Sequence, residues 1–285
     1  MNKYALGTIV GTALLGLVKA KRGGRNEYGP EDIYDIYDLS TQEKAQITNL
    51  DLSQLELEYV PYDIFYGFEN LEILNLYNNR LEKIPKTIEN ITKLKTLILE
   101  NNQFIEIPEW IGNLTNLKEL YLDSNQLRGL PQSIGNLTNL EYIELSHNHL
   151  KEIPEWIENL TNLKKLNLRN NRLTELPEWI GNLKNLERIW LGSNLLTELP
   201  QSFGNLTNLE ILDLETNQLT ELPEWIGNLT NLEKLYLHGT NWQKPVPKKI
   251  IINMLKNGVH KDVIEAIVKM NNSITTTTKS NLRLR

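Results

Sequence analysis

Few side chains in this 285-residue chain have the type and spacing that catalysis requires. Cysteine is absent, which excludes disulfides, thiolate nucleophiles and cysteine-based zinc sites. His147 and His149 flank an asparagine at a predicted turn, so the two imidazoles do not form a convincing metal-ligand set. No G-x-x-x-x-G-K-S/T phosphate loop occurs, and no carboxylate pair is set apart by an apolar setting. The sequence therefore predicts a protein that is not an enzyme and that has no catalytic residue, metal site or cofactor.

Charge is distributed unevenly along the chain, whose net charge is −6. Residues 47–242 contain 15 Lys and Arg against 28 Asp and Glu, whereas residues 243–285 contain 9 against 2. This balance predicts no nucleic-acid partner, because phosphate binding requires a basic surface. An acidic body admits a basic protein partner, and the basic tail admits weak attachment to an acidic surface.

The N-terminal segment, residues 1–25, is hydrophobic with a basic flank. Residues 4–18 (YALGTIVGTALLGLV) are uncharged and precede the basic sequence KAKRGGR. A membrane tether with the repeats facing the cytoplasm is favoured, because the basic side of a membrane helix normally stays inside. The segment is short for a membrane span, so a cleaved signal or a soluble cap helix remains open. A soluble cytoplasmic or a secreted location therefore remains open as well.

A repeat of 23 residues organises the middle of the chain. Each unit carries the pattern L-x-x-L-x-L-x-x-N-x-L, as in LKELYLDSNQL from Leu117 to Leu127. The opening leucines are Leu71, Leu94, Leu117, Leu140, Leu163, Leu186, Leu209 and Leu232. A degenerate copy begins at Ile47, and the copy from Leu232 loses the pattern at its asparagine. Nine units over residues 47–242, with atypical first and last members, indicate a repeat array with caps.

The alternating leucines of each unit predict a short strand with one buried face. A chain that returns to the same strand position every 23 residues must stack its strands in parallel. The asparagine after each strand is placed to pair with turn backbone groups that would otherwise be buried and unpaired. These residues are Asn79, Asn102, Asn125, Asn148, Asn171, Asn194 and Asn217. They predict a ladder of buried amides that frays where Leu55 and Thr240 occupy the position.

With this pattern the chain resembles the leucine-rich repeat family. The 23-residue unit with LPxxIxxLxxL on its return path is similar to the class that includes plant Ras-group-related and animal Ras-pathway scaffold repeat proteins, with bacterial relatives. The resemblance implies an α/β solenoid of about nine repeats, a horseshoe whose concave face is a parallel β-sheet. It also implies protein recognition on that concave face.

The return path repeats PEWIGNLTNL at residues 108–117 and again at residues 223–232. A proline at a constant position ends strand pairing, and the apolar residues after it fill the core. The tryptophan position, as in Trp110 and Trp225, favours packing between coils over a binding ridge. The Asn-x-Thr sequons of this stretch favour turn chemistry, and whether they are ever glycosylated stays open.

The candidate binding residues are the outward positions of the strands, where the units differ from one another. They are Ile98, Glu119, Tyr121, Asp123, Tyr142, Glu144, Arg169, Arg188, Trp190 and Tyr236. Acidic residues are predicted to form one zone around Glu119 and Glu144, and basic residues a second zone around Arg169 and Arg188. Exposed Trp, Tyr and Arg dominate binding energy at interfaces, and opposed charge zones set orientation. A solvated face with cross-strand charge pairing is the alternative interpretation.

The flanks of the array are predicted to close its open ends. Residues 26–46 form the N-terminal cap, and residues 243–270 form a C-terminal cap of two short helices that break near Gly258. Residues 271–285 are low in core-forming types and are predicted to be a disordered tail.

These observations predict a non-enzymatic protein–protein recognition module, a monomeric scaffold or signalling adaptor that binds a protein partner on the concave face. The alternative is a secreted or surface-displayed microbial repeat protein acting in adhesion or as a host-directed effector. Sequence alone does not name the partner.

Overall fold

The computed structural model describes the backbone of residues 36–283 and the side chains of residues 36–274. Residues 1–25, with the predicted tether at 4–18, lie outside the described part of the chain. The chain forms two compact units that divide between Leu140 and Glu141.

The first unit contains four strands, each of three residues. Each middle residue is a buried leucine, so the flanking residues point outward, as the alternation predicts. The strands are β1 (Asn49–Asp51), β2 (Ile73–Asn75), β3 (Thr96–Ile98) and β4 (Glu119–Tyr121). Neighbours pair in parallel at a shift of one repeat, with Leu74 opposite Leu97 and Leu97 opposite Leu120.

The second unit contains five strands of the same length. They are β5 (Tyr142–Glu144), β6 (Lys165–Asn167), β7 (Arg188–Trp190), β8 (Ile211–Asp213) and β9 (Lys234–Tyr236). Pairing is again parallel and in register, with Asn167 opposite Trp190 and Trp190 opposite Asp213. Strand order follows chain order from β1 to β9.

Seven of the eight return paths between the strands, all except the one from β1 to β2, contain a short 3-10 helix that begins directly after a proline. The seven helices are η1 (Lys86–Asn90), η2 (Glu109–Asn113), η3 (Gln132–Asn136), η4 (Glu155–Asn159), η5 (Glu178–Asn182), η6 (Gln201–Asn205) and η7 (Glu224–Asn228). The preceding proline is extended, with φ −72° and ψ 152° at Pro108. Its carbonyl accepts the N–H of the buried Ile111, which turns that side chain into the core.

The constant spacing of the asparagines builds the predicted amide ladder. Asn194 is 5% exposed, and its Nδ2 donates to the carbonyls of Leu168 (2.9 Å) and Leu191 (3.0 Å). Its Oδ1 accepts the N–H of Leu173 at 3.0 Å. At the C-terminal end the ladder does not simply fray, because the Thr240 hydroxyl donates to Leu214 and accepts the N–H of Asn217.

Helices flank the strands at both ends. At the N-terminal end α1 (Thr41–Ala45) starts at a capping box, in which Ser40 and Glu43 bond each other's backbone N–H. At the C-terminal end lie α2 (Lys248–Lys256) and α3 (Lys261–Arg283). The chain turns between them at Gly258, whose φ of +75° suits glycine.

Helix α3 continues beyond the predicted end of the C-terminal cap, through most of the segment for which the sequence indicates disorder. Asn271 is held at the array because its Oδ1 accepts the Val246 N–H and its Nδ2 donates to the Val246 carbonyl. Met270 is buried beside it. These contacts fix the first turn of the segment, which composition alone did not indicate.

The predicted fold class, an α/β solenoid of nine repeats with parallel strands and helical caps, is confirmed. No helix within residues 36–283 combines the length and the hydrophobicity that crossing a bilayer requires.

Candidate protein-binding surface

The outward side chains of the strands form what we call the strand face. It consists of the first and third residues of each strand and the residue two positions beyond the strand. Neighbouring strands lie about 4.8 Å apart, so side chains at equivalent positions of adjacent repeats are close neighbours. Contacts between neighbours decide which of these side chains a partner is able to reach.

In the first unit the strand face carries four of the predicted binding residues. Glu119 and Tyr121 are partly exposed, and the Tyr121 hydroxyl donates to Glu119 Oε2 at 3.2 Å. Ile98 and Asp123 are largely covered, with 9% and 8% of their surfaces exposed. A partner at this unit therefore meets the Tyr121 ring and Glu119 first.

In the second unit Glu144 is the centre of a hydrogen-bonded cluster. Its side chain is 1% exposed and accepts hydrogen bonds from the Tyr142 hydroxyl, from Asn167 Nδ2 (2.9 Å) and from the Ser146 N–H (3.1 Å). Lys165 places its ammonium 5.9 Å from the centroid of the Tyr142 ring. Glu144 thus orients Tyr142, and its own carboxylate is covered by these neighbours.

Arg169 forms an ion-pair bridge across two strands. Its Nη1 lies 2.7 Å from Asp213 Oδ2, and its Nη2 lies 3.1 Å from Glu215 Oε2. Both carboxylates lie on or just beyond β8, so the guanidinium group passes over the end of β7. There the equivalent residue is Gly192, whose missing side chain leaves the space. An added Cβ at Gly192 would lie 2.7 Å from Asp213 Oδ2.

Asp213 is the buried end of this bridge, with 1% of its surface exposed. Its Oδ1 accepts the N–H of Glu215 at 2.9 Å. Burial raises the pKa of the Asp213 carboxyl, and the Glu215 N–H and the Arg169 guanidinium offset this shift only in part.

The predicted basic zone is therefore largely neutralised by acidic neighbours. Arg169 is paired with two carboxylates, and Arg188 Nη2 lies 3.4 Å from Glu210 Oε2. These two arginines fit the alternative interpretation, in which charged side chains of different strands pair with one another. Asp213 and Glu215 occupy outward positions of the repeat pattern but were not predicted as binding residues. The sequence signal that could have indicated this bridge is the glycine, Gly192, at the equivalent position between Arg169 and Glu215.

Two aromatic side chains stand out on the strand face of the second unit. Trp190 is partly exposed, between Asn167 and Asp213 on the neighbouring strands. Tyr236 lies two strands from Trp190 at the equivalent position of β9 and is 41% exposed. The buried Asp213 between them leaves both rings accessible from the solvent side.

One of the two paired histidines, His147, has a structural role. His147 adopts φ +53° at the turn after β5, and its Nε2 lies 3.0 Å from Asn170 Nδ2. In the described part of the chain no group of three His, Asp or Glu side chains is arranged to hold a metal ion.

Comparison with known proteins places the chain in a family. The family model described as a leucine-rich repeat region matches residues 65–166 and 147–257. The chain therefore belongs to the leucine-rich repeat family. Among curated proteins, no sequence match was found.

Several solved structures share this fold. A leucine-rich repeat protein of Leptospira interrogans is 38% identical over 76% of this chain and 55% of its own, with a TM-score of 0.71. The leucine-rich repeat ectodomain of the plant membrane receptor kinase GASSHO1/SCHENGEN3 from Arabidopsis thaliana, in complex with CASPARIAN STRIP INTEGRITY FACTOR 2, is 31% identical over 80% of this chain and 30% of its own, with a TM-score of 0.63.

A third similar structure is that of PEPR1 with AtPEP1, at 29% identity over 75% of this chain and 35% of that chain, with a TM-score of 0.60. The chain thus spans about half, or less, of the length of these three proteins. The narrower class suggested by the LPxxIxxLxxL return path is not singled out by these similarities.

Proposed function

We propose that this chain is a non-enzymatic protein-recognition module that binds a polypeptide partner on its strand face. The observation that carries the proposal is the pair of accessible rings, Trp190 and Tyr236, on the strand face of the second unit. Aromatic residues of this kind supply most of the binding energy at interfaces, because they bury a large area at a low cost in side-chain entropy.

The polar groups around the rings supply a preorganised surround. Arg169 is fixed by Asp213 and Glu215, and Tyr142 is fixed by Glu144. Side chains that are already held in place lose little conformational freedom on binding. In the first unit, Glu119 and Tyr121 form a second, smaller contact region of the same kind.

Two of the similar structures favour a polypeptide as the ligand class. The Arabidopsis ectodomain is in complex with CASPARIAN STRIP INTEGRITY FACTOR 2, and PEPR1 is in a structure with AtPEP1. A role as a scaffold or signalling adaptor, a monomeric state, and a tether through residues 4–18 are part of the proposal. They rest on the sequence alone.

The test is partner capture by the full chain from extracts of its source, with wild type and Trp190→Ala compared. We expect Trp190→Ala to weaken capture about 30-fold or more, as loss of a central aromatic contact does. Trp179→Ala is the matched control, because Trp179 lies on the return path and is partly exposed. Equal capture by Trp190→Ala and wild type would show that the strand face of the second unit is not the binding site.

The alternative function, a secreted or surface-displayed microbial repeat protein acting in adhesion or as a host-directed effector, uses the same strand face. Cell fractionation with mass determination of the N-terminus separates the two. Loss of about 20 residues indicates export, since this is the size of a cleaved signal. A retained N-terminus that pellets with membranes indicates the tether.

A further inference from the structure

The outer face of helix α2 combines lysines with exposed aliphatic side chains. Ile252 is 49% exposed and Leu255 is 57% exposed. Lys248 lies one helical turn before Ile252, and Lys256 lies one turn after it. Residues at this spacing share one side of a helix, so the lysines and the aliphatic groups form one mixed surface.

The opposite face of α2 holds the helix firmly on the array. Ile250 is 9% exposed and Met254 is fully buried. Gly227 of η7 allows this close approach, since an added Cβ there would lie 3.2 Å from the Ile250 side chain. The outer face is consequently displayed at a fixed position and is not turned inward by rotation of the helix.

The positive charge of this face is not neutralised within the described residues. Helix α2 contains no acidic residue, and Lys248, Lys249 and Lys256 form no ion pair there. Two carboxylates in the C-terminal part of the chain have other cationic partners. Glu221 pairs with Lys244 at 2.6 Å, and Glu265 pairs with Lys269 at 3.6 Å.

From these observations we infer that the outer face of α2 docks on an anionic membrane surface. The three unpaired ammonium groups complement the negative charge of the lipid headgroups, and Ile252 and Leu255 insert between them. Lysine suits this position because its long aliphatic stem stays along the apolar layer while its ammonium remains at the headgroups. The contact is a surface attachment, distinct from the partner-binding strand face.

A lipid surface fits this face better than a folded protein does. The aliphatic groups alternate with lysines on a convex helix, and a protein partner would need a matching pocket and acid for each. Lipid adapts to such a surface without a preformed pocket. Each lysine near an anionic surface strengthens binding by about fivefold at physiological ionic strength, so the three together supply about 100-fold.

The absence of cysteine from the chain allows a direct local test. Ile252→Cys in the full chain is labelled with a polarity-sensitive thiol dye and titrated with vesicles of phosphatidylcholine, with and without phosphatidylglycerol. The dye reports on α2 itself, so binding through residues 4–18 does not mimic the signal. Gln218→Cys, an exposed position away from α2, carries the same dye as a control.

We expect a blue shift of the Ile252→Cys dye with phosphatidylglycerol vesicles, and none with phosphatidylcholine alone or at Gln218→Cys. A second variant combines Ile252→Cys with Lys248→Glu, Lys249→Glu and Lys256→Glu. It should bind the anionic vesicles at least 100-fold more weakly. Salt at about 0.5 M should abolish the blue shift of the Ile252→Cys dye. Circular dichroism checks that the variants stay folded. No blue shift with anionic vesicles overturns the proposal, and a shift with polyglutamate in place of vesicles assigns the face to an acidic protein instead.

Discussion

Gly192 is the residue on which the central ion-pair bridge of the second unit depends. Arg169 reaches Asp213 and Glu215 only because Gly192, at the equivalent position of the repeat between them, has no side chain. The bridge holds an arginine on the strand face in one place, beside Trp190. Gly192 has an ordinary backbone conformation, so what it contributes here is the space left by its missing side chain.

Gly192→Ala should lower the free energy of unfolding by about 1–3 kcal/mol, because the added Cβ would lie 2.7 Å from Asp213 Oδ2 and force the carboxylate to move. Urea denaturation measures the change. Gly129→Ala is the control, since an added Cβ there meets nothing within 4 Å. We expect Gly129→Ala to leave the stability unchanged or to raise it by up to about 1 kcal/mol. Equal losses at both positions would contradict the steric explanation.

Asp213 should give the fold a specific dependence on pH. Its folded-state pKa is raised above the ordinary value of 3.8, so the folded state binds the proton more tightly than the unfolded state. The stability from this group is fully present below the ordinary pKa and is lost as the pH rises through the raised one. The difference in unfolding free energy between wild type and Asp213→Asn should therefore favour wild type most at low pH. A difference that does not vary from pH 3 to about pH 7 would contradict this assignment.

Two asparagine ladders with different depths hold successive repeats together. The inner ladder, which includes Asn194, is buried and both donates and accepts. The outer ladder uses the last asparagine of NLTNL and of its variant NLKNL. Asn185 of NLKNL, for example, donates from Nδ2 to the Thr161 carbonyl at 2.8 Å. The acceptor in this hydrogen bond is a backbone carbonyl, so the side chain of the accepting residue does not matter. Lys184 therefore replaces the usual threonine and still accepts the hydrogen bond from Asn208 Nδ2.

Asn194→Ala should destabilise the protein by about 1–3 kcal/mol, because it leaves the buried N–H of Leu173 without a partner. It also removes one of the two amide donors of the Leu168 and Leu191 carbonyls. Asn185→Ala removes a single exposed hydrogen bond and should cost about 1 kcal/mol or less. Thermal or urea unfolding of the two variants compares the ladders. A larger loss for Asn185→Ala would mean that the outer ladder carries the array.

The repeated return-path stretch also links neighbouring coils through Glu109 and Glu178. The Glu109 carboxylate accepts the N–H of Ser133 at 3.0 Å, and Glu178 accepts that of Ser202 at 2.9 Å. These backbone N–H groups lower the pKa of both carboxyls. Gly112 permits the close approach of the two coils, since an added Cβ at this residue would lie 2.5 Å from the Ser133 carbonyl oxygen. In these two copies the stretch therefore joins neighbouring coils.

At the scale of the whole molecule, the chain is a series of repeats, and each repeat is stabilised mainly by its neighbours. The last coil therefore depends on what covers it. Trp242 Nε1 donates to the Leu237 carbonyl at 2.9 Å, and the buried faces of α2 and α3 provide apolar cover.

Met254→Asp should open the C-terminal coils without unfolding the first unit, because it places a charge at a fully buried position of α2. Hydrogen exchange measured by mass spectrometry should show faster exchange in β8 and β9, with β2 to β4 unchanged. Leu255→Asp, at an exposed position of the same helix, should leave exchange as in wild type. Uniform loss of protection in the Met254→Asp variant would show that the whole array unfolds as one cooperative unit.

The sequence by itself determined the repeat, the strand positions and the direction of each strand side chain. A 23-residue period leaves one place for Leu97 and its equivalents, and alternation then sends Ile98 and Tyr121 to the other face. The Asn194 ladder and the helices of the C-terminal cap were also predictable, because spacing and apolar periodicity are local properties of the chain.

Only the tertiary structure decided which outward charges are available. Arg169 and Asp213 lie 44 residues apart, and they meet because two strands of separation place them within reach over Gly192. Glu144 is outward by pattern and still 1% exposed, since Tyr142 and its other neighbours close over it. Side-chain reach and the volume of neighbours belong to three-dimensional packing, which the order of residues along one strand does not contain.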